Sequence, residues 1–343
     1  MPFLVLKPKP QQQSKMGGNL FKLGRLPKAE YLEIEGELRQ YLDQKLGDLY
    51  RIPRYYRNKP DFGDVDIIVS DAAIQSTWQD LRMELSKDLG IQQHKSLGSV
   101  FSTVHQNFQV DFFYREHRYF DSTYNYLSFN DVGNILGKIF KRFNLKYGEQ
   151  GLLYVFRRAD GHFQKDLEVS QDFERIFAFL QLDYAHWLRG FDTLDELFRW
   201  AIASPYFSIH PYQDQDATTT QRVKERTTMR RFVDWLEVQG ISQQFEFLQD
   251  RDAYLPMIAA FFPEGNLLEK MEQERQREAY VLRLREKYSG QVIMRLFPDL
   301  QGKVLGDFMR SFEAQWEDHE AVLAGMDAEE ILARLRQFKA DYY

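Results

Sequence analysis

Gly63-Asp64-Val65-Asp66-Ile67-Ile68-Val69 combines two signals that rarely coincide. It is a β-branched run suited to a buried strand, yet it carries two acids two residues apart. Side chains alternate across a strand, so Asp64 and Asp66 point the same way. Burying two carboxylates side by side is costly unless cations neutralise them, and a divalent metal is the simplest such cation. A third acid lies inside a second aromatic and β-branched run, Phe108-Gln109-Val110-Asp111-Phe112-Phe113-Tyr114. Asp64, Asp66 and Asp111 on adjacent strands form a ligand set for two magnesium ions.

Outward from these runs, helical and strand patterns alternate. Pro27 opens a helix in which Tyr31, Ile34, Leu38, Tyr41, Leu42 and Leu46 recur at helical spacing until Gly47 stops it. Strand, loop and strand follow from Tyr50 to Val69, the loop being the polar segment Arg54 to Asp61. A second helix is predicted from about Ser76 to Gly90. Strands at Gly98–Val104 and Phe108–Tyr114 flank the short turn Gln106-Asn107 and read as a hairpin. An apolar stripe from Val132 to Phe143 predicts a further helix, and Leu152–Phe156 a strand that ends the mixed sheet. Beyond about Asp160 the pattern is helical, with amphipathic stretches near 170–181, 193–204, 219–239, 252–262, 266–288, 302–314 and 328–340. The expected organisation is an arm over 1–19, a mixed α+β domain over 20–158 and a helical domain over 159–343.

The chain has 343 residues, 43% of them hydrophobic, enough for two domains with real cores. A net charge of −6 argues against a wholly basic nucleic-acid binder but permits positive charge confined to one groove. The absence of cysteine removes disulfides, thiolate chemistry and cysteine zinc sites. Met1 to Pro8 holds an apolar patch too short for a signal peptide or membrane span, so a cytoplasmic location is expected. The seven histidines show no metal-ligand spacing, and no phosphate loop, nucleophile elbow or dinucleotide fingerprint occurs.

Gly63-Asp64-Val65-Asp66, then Gly98-Ser99-Val100-Phe101-Ser102-Thr103-Val104, then Gln109-Val110-Asp111 occur in the order used by the polymerase β nucleotidyltransferase superfamily, and the sequence most resembles the family X DNA polymerases. The resemblance covers roughly residues 45 to 156. It implies an α+β fold with a polymerase β-like mixed sheet and flanking helices. It also implies that Asp64, Asp66 and Asp111 ligate two magnesium ions, with manganese as a substitute. The similarity continues through Tyr126-Leu127-Ser128-Phe129-Asn130-Asp131-Val132-Gly133-Asn134 to Leu145-Lys146-Tyr147-Gly148-Glu149-Gln150-Gly151-Leu152, which resembles the segment that closes over the incoming nucleotide. By position, Tyr126 would lie against the sugar and Asp131 and Asn134 near the base. Leu127 and Phe129 depart from that pattern, which leaves ribose or deoxyribose open. The Gly-Ser turn that precedes the acids in the superfamily is absent; the basic loop Arg51 to Lys59 stands there, and Arg54, Arg57 and Lys59 are expected to neutralise a triphosphate.

Phosphoryl transfer needs positioning and cancellation of negative charge, which two metals about 3.5–4 Å apart supply in comparable sites. The expected reaction is attack of a nucleic-acid 3′ hydroxyl on the α-phosphate of a nucleoside triphosphate. Two basic clusters are candidates for the phosphate backbone, with a solvated surface as the alternative: Lys138, Lys141, Arg142 and Lys146, and Arg222, Lys224, Arg226, Arg230 and Arg231. With only some twenty-five residues ahead of the first helix, an upstream lyase or helix-hairpin-helix domain of the usual repair-polymerase layout is not expected. Gly302-Lys303-Val304-Leu305-Gly306-Asp307-Phe308-Met309 resembles the helical tails of CCA-adding enzymes, making RNA 3′-end extension an alternative to DNA extension. A small-acceptor nucleotidyltransferase or nucleotide second-messenger synthase would use the same acids, whereas a non-catalytic nucleic-acid binder would need a broken triad.

Overall fold

A computed structural model describes residues 20–158, 161–213 and 227–342. The expected arm over 1–19 and the basic residues Arg222, Lys224 and Arg226 lie outside the described residues. The architecture is mixed α+β, with the later part of the chain mostly helical.

In chain order the first elements are β1 (Leu26–Pro27), α1 (Lys28–Leu46), β2 (Tyr50–Arg51), β3 (Asp61–Phe62), β4 (Asp64–Ser70), α2 (Trp78–Asp88), β5 (Gln93–Leu97), β6 (Val100–His105) and β7 (Phe108–Arg115). They continue with α3 (Phe120–Leu127), α4 (Val132–Phe140), β8 (Leu145–Gly148), β9 (Gly151–Arg157), β10 (Phe163–Ser170), α5 (Phe173–Phe179), α6 (Tyr184–Arg189) and α7 (Leu194–Ile202). Strands β2-β4-β7-β6-β5 form one sheet in that order, with β4 and β7 parallel and the other pairs antiparallel.

The alternation read from the sequence explains how this sheet is covered. Val65, Ile67 and Val69 of β4 and Val110 and Phe112 of β7 are buried in a core with Tyr31, Ile34, Leu38 and Leu42 of α1 and Leu81 and Leu85 of α2. On the opposite face, Ile68, Val100 and Phe113 pack with Phe120 of α3, at the end of β4 away from Asp64. The acids share that face with this cluster, since Asp64 and Asp66 alternate in step with Ile68 and Asp111 with Phe113. Gly47, at φ +60°, ends α1 in a conformation that costs a side-chain-bearing residue more. Gln106 and Asn107, at φ +48° and +60°, make the tight β6–β7 turn, which suits the right-handed twist of the hairpin.

Two expectations are corrected. The strand near Leu152–Phe156 does not end the acid-bearing sheet; it is β9, the middle strand of a separate sheet ordered β10-β9-β8. Strand structure does not stop at Asp160, because β10 follows, with Leu167 and Val169 buried and Lys165, Asp166 and Glu168 interleaved. The described residues divide into two compact units, and the one with the acids comprises 20–157, 163–213 and 227–267. Its extension is held by aromatic packing: Phe177 and Trp187 lie edge to face, as do Phe129 and Trp187, and Phe129 and Phe191. The other unit comprises, among the described residues, 158, 161–162 and 268–342. Its described core joins helices Gly290–Leu296, Gly302–Glu313, His319–Gly325 and Ala328–Tyr342 around Ile293, Phe308, Phe312, Leu323 and Leu335. Among the described residues no helix is long and apolar enough to cross a membrane.

Candidate metal centre

The parallel register of β4 and β7 sets Asp66 directly opposite Asp111 and Asp64 opposite Gln109. Asp64, Asp66 and Asp111 each offer a carboxylate oxygen, and these atoms lie within 4.8 Å of one another. Asp111 is 3% exposed; Asp64 and Asp66 are half-buried. The strand positions of all three follow from the two apolar runs, since each acid is an interruption on an otherwise strand-forming segment.

Asp111 is held from its own strand. Gln109, on the same face two residues earlier, donates through Nε2 to Asp111 Oδ2 at 2.9 Å, and its Oε1 accepts from the Leu20 amide at 3.1 Å. Ser102, the register partner of Asp111 on β6, also hydrogen-bonds it. Asp111 Oδ1 is buried with no hydrogen-bond partner. A buried carboxylate oxygen without a partner, on a residue grouped with two further carboxylates, is costly for anions and suitable for a cation.

The electrostatics agree with that reading. Burial, opposed by Ser102 and Gln109 and reinforced by Asp64, pushes the Asp111 carboxyl up to about 6. Burial also raises Asp66 well above the usual carboxylate range, with Asp64 and Asp111 adding repulsion. Asp64 is raised by burial against the opposing pull of Lys59 and Arg25. Carboxylate oxygens are hard donors that suit magnesium, manganese or calcium, so the three aspartates fit a divalent ion.

The remaining expected site residues divide. Lys59 faces the acids: burial lowers its pKa while Asp64 and Asp66 pull it back up, and Nζ donates to Asn130 Oδ1 at 3.2 Å. Arg54 and Arg57 do not; both brace the fold. Arg54 Nη1 donates to the carbonyls of Trp187 and Leu188, and its guanidinium lies 4.8 Å from the Phe129 ring centroid. Arg57 pairs with Asp192 at 2.6 Å and donates to the Arg189 carbonyl. Asn134 donates to Asp131 Oδ1 at the start of α4, and Tyr126 packs edge to face on Tyr147. Lys138 donates to the Pro211 carbonyl, Lys146 pairs with Asp166, and Arg142 lies over Phe247. Lys141, Arg230 and Arg231 are exposed, the last two on helix Thr227–Val238.

Four residues of the centre carried no role in the sequence reading. Gln109 and Ser102 are the supports of Asp111, Asn130 holds Lys59, and Glu149 adds negative charge near Asp66. The i, i+2 relation of Gln109 to Asp111 was the available signal for the first. No family model matches the chain, and no curated protein matches it by sequence.

Proposed function

We propose that this chain is a nucleotidyltransferase with a polymerase β-like catalytic fold, transferring a nucleoside monophosphate from a nucleoside triphosphate to a nucleic-acid 3′ hydroxyl. The observation that carries the reading is the convergence of Asp64, Asp66 and Asp111 on neighbouring parallel strands, with ligand oxygens within 4.8 Å of one another. The order of the motifs along the chain is the second support. Asp64, Asp66 and Asp111 would hold two magnesium ions, with manganese as a substitute. Divalent ions, when bound there, would lower the pKa of an attacking hydroxyl and offset charge on a departing pyrophosphate.

The chain's own residues supply position and charge. Gln109 and Ser102 support Asp111, whose Oδ1 has no hydrogen-bond partner. Lys59, steadied by Asn130, brings a cation to the edge of the acids, where the β- and γ-phosphates need one. In the transfer the 3′ oxygen bonds to the α-phosphorus as the bond to the bridging oxygen breaks, so the electron pair leaves with pyrophosphate. Exposed Lys141, Arg230 and Arg231 are available to an acceptor backbone.

The test incubates the protein with magnesium and labelled ribo- and deoxyribonucleotides beside primed DNA, single-stranded DNA, RNA and no acceptor. Extension of DNA that is lost in Asp111→Ala supports the reading. Extension of RNA alone moves it to RNA 3′-end addition, and product without any primer moves it to a small acceptor. Incorporation that survives Asp111→Ala rejects the mechanism.

A further inference from the structure

A cleft of about 500 Å³ lies in the same unit, and its lining includes none of Asp64, Asp66, Asp111 or Lys59. Its walls come from α1, the segment Gly47–Arg57 and the turn Leu188–Phe191. Among the described residues that line it are five arginines and three carboxylates. Two of the carboxylates are engaged within the fold, Glu35 by Arg39 and Tyr55 and Asp43 by the Tyr50 hydroxyl.

The arginines are less evenly matched. Arg51 Nη1 donates only to the backbone carbonyls of Asp48 and Tyr50, and Arg54 Nη1 to those of Trp187 and Leu188. Neither has a carboxylate at ion-pair distance among the described residues. Arg189 is exposed and reaches Asp183 only at 3.9 Å. Burial lowers the Arg54 pKa, as expected for a cation without a compensating anion. Guanidinium groups left with neutral partners around a concave surface call for an anion, and their planar fork matches phosphate oxygens. The volume is of the right order for a nucleotide.

We propose that this cleft is a phosphate-binding site separate from the acid cluster, taking a nucleotide-sized phosphate ester against Arg51 and Arg189. The ligand is either a free nucleotide or the phosphorylated end of a strand, which present the same group. The site needs no divalent ion, so its existence is independent of the transfer reaction proposed above.

Titration calorimetry in EDTA tests it, with inorganic pyrophosphate, a 5′-mononucleotide, and one oligonucleotide with and without a 5′-phosphate. The expected result is saturable binding of at least one phosphate-bearing probe, weakened about tenfold or more by Arg51→Gln with Arg189→Gln and retained in Asp111→Asn. A stronger response to the mononucleotide or to the phosphorylated strand identifies the source. Because Arg189 is exposed, Arg189→Gln alone keeps the test sound should the double variant fold poorly; it should weaken binding on its own. No saturable binding, equal affinity in the arginine variants, or loss in Asp111→Asn would each overturn the proposal.

Discussion

Asp111→Asn should stabilise the metal-free protein at alkaline pH while removing its response to magnesium. Asp111 is 3% exposed, so solvent screening takes little from its electrostatic cost. A rise from 3.8 to about 6 corresponds to about 3 kcal/mol of penalty on the ionised form. The folded state binds the proton more tightly than the unfolded state, so this group's stabilising contribution is complete below about pH 4 and is lost as pH rises through about 6. Asparagine keeps the shape and the acceptor for Gln109 Nε2 but cannot ionise. In EDTA at pH 8 the variant should therefore melt above the wild type, by about 6–12 °C for a unit of this size. The gap should close on acidification toward pH 4. Magnesium at a hundredfold excess over its dissociation constant should return about 2.7 kcal/mol to the wild type and nothing to the variant. Thermal denaturation at two pH values, with EDTA and with magnesium, reads all of this. A variant that melts at or below the wild type in EDTA at pH 8 would refute the argument, because the carboxylate would then not be an electrostatic burden in need of a cation.

Three further outcomes follow from the same contacts. Gln109→Leu removes the donor to Asp111 Oδ2 and should weaken divalent-ion affinity about 10- to 100-fold, measured by manganese titration. Lys59→Met removes the cation beside the acids and should raise the KM for nucleotide about tenfold in the extension assay. Gly133→Ala would bring a Cβ within 2.6 Å of the Tyr126 ring and 2.9 Å of its backbone carbonyl, so α4 must shift. A cost of about 1–3 kcal/mol is expected in urea denaturation.

The sequence made the acid-bearing half of the fold readable because its elements carry strong periodicity. Leu38 and Leu42 of α1, Leu81 and Leu85 of α2, and the apolar alternation of β4 and β7 all sit where their spacing requires. β5 was missed because all five of its residues are exposed, so no alternation marks Gln93–Leu97. α3 was missed because Asp121, Ser122, Thr123 and Asn125 are indifferent helix formers, and its burial against Ile68 and Phe113 is a tertiary fact. The three acids were legible one strand at a time, and their convergence followed from parallel pairing. The partners of Arg54 and Arg57 were not, since a guanidinium advertises its charge but not whether a phosphate or a distant carbonyl such as that of Trp187 will receive it.

The transfer proposed for this chain requires that Asp64, Asp66 and Asp111 form a divalent-ion centre. Manganese titration followed by electron paramagnetic resonance, in wild type and in Asp66→Asn, measures it most directly. The prediction is saturable binding to the wild type in the presence of nucleoside triphosphate, approaching two ions per chain, and its loss in the variant. Equal manganese binding by the two proteins, or none by either, would contradict it.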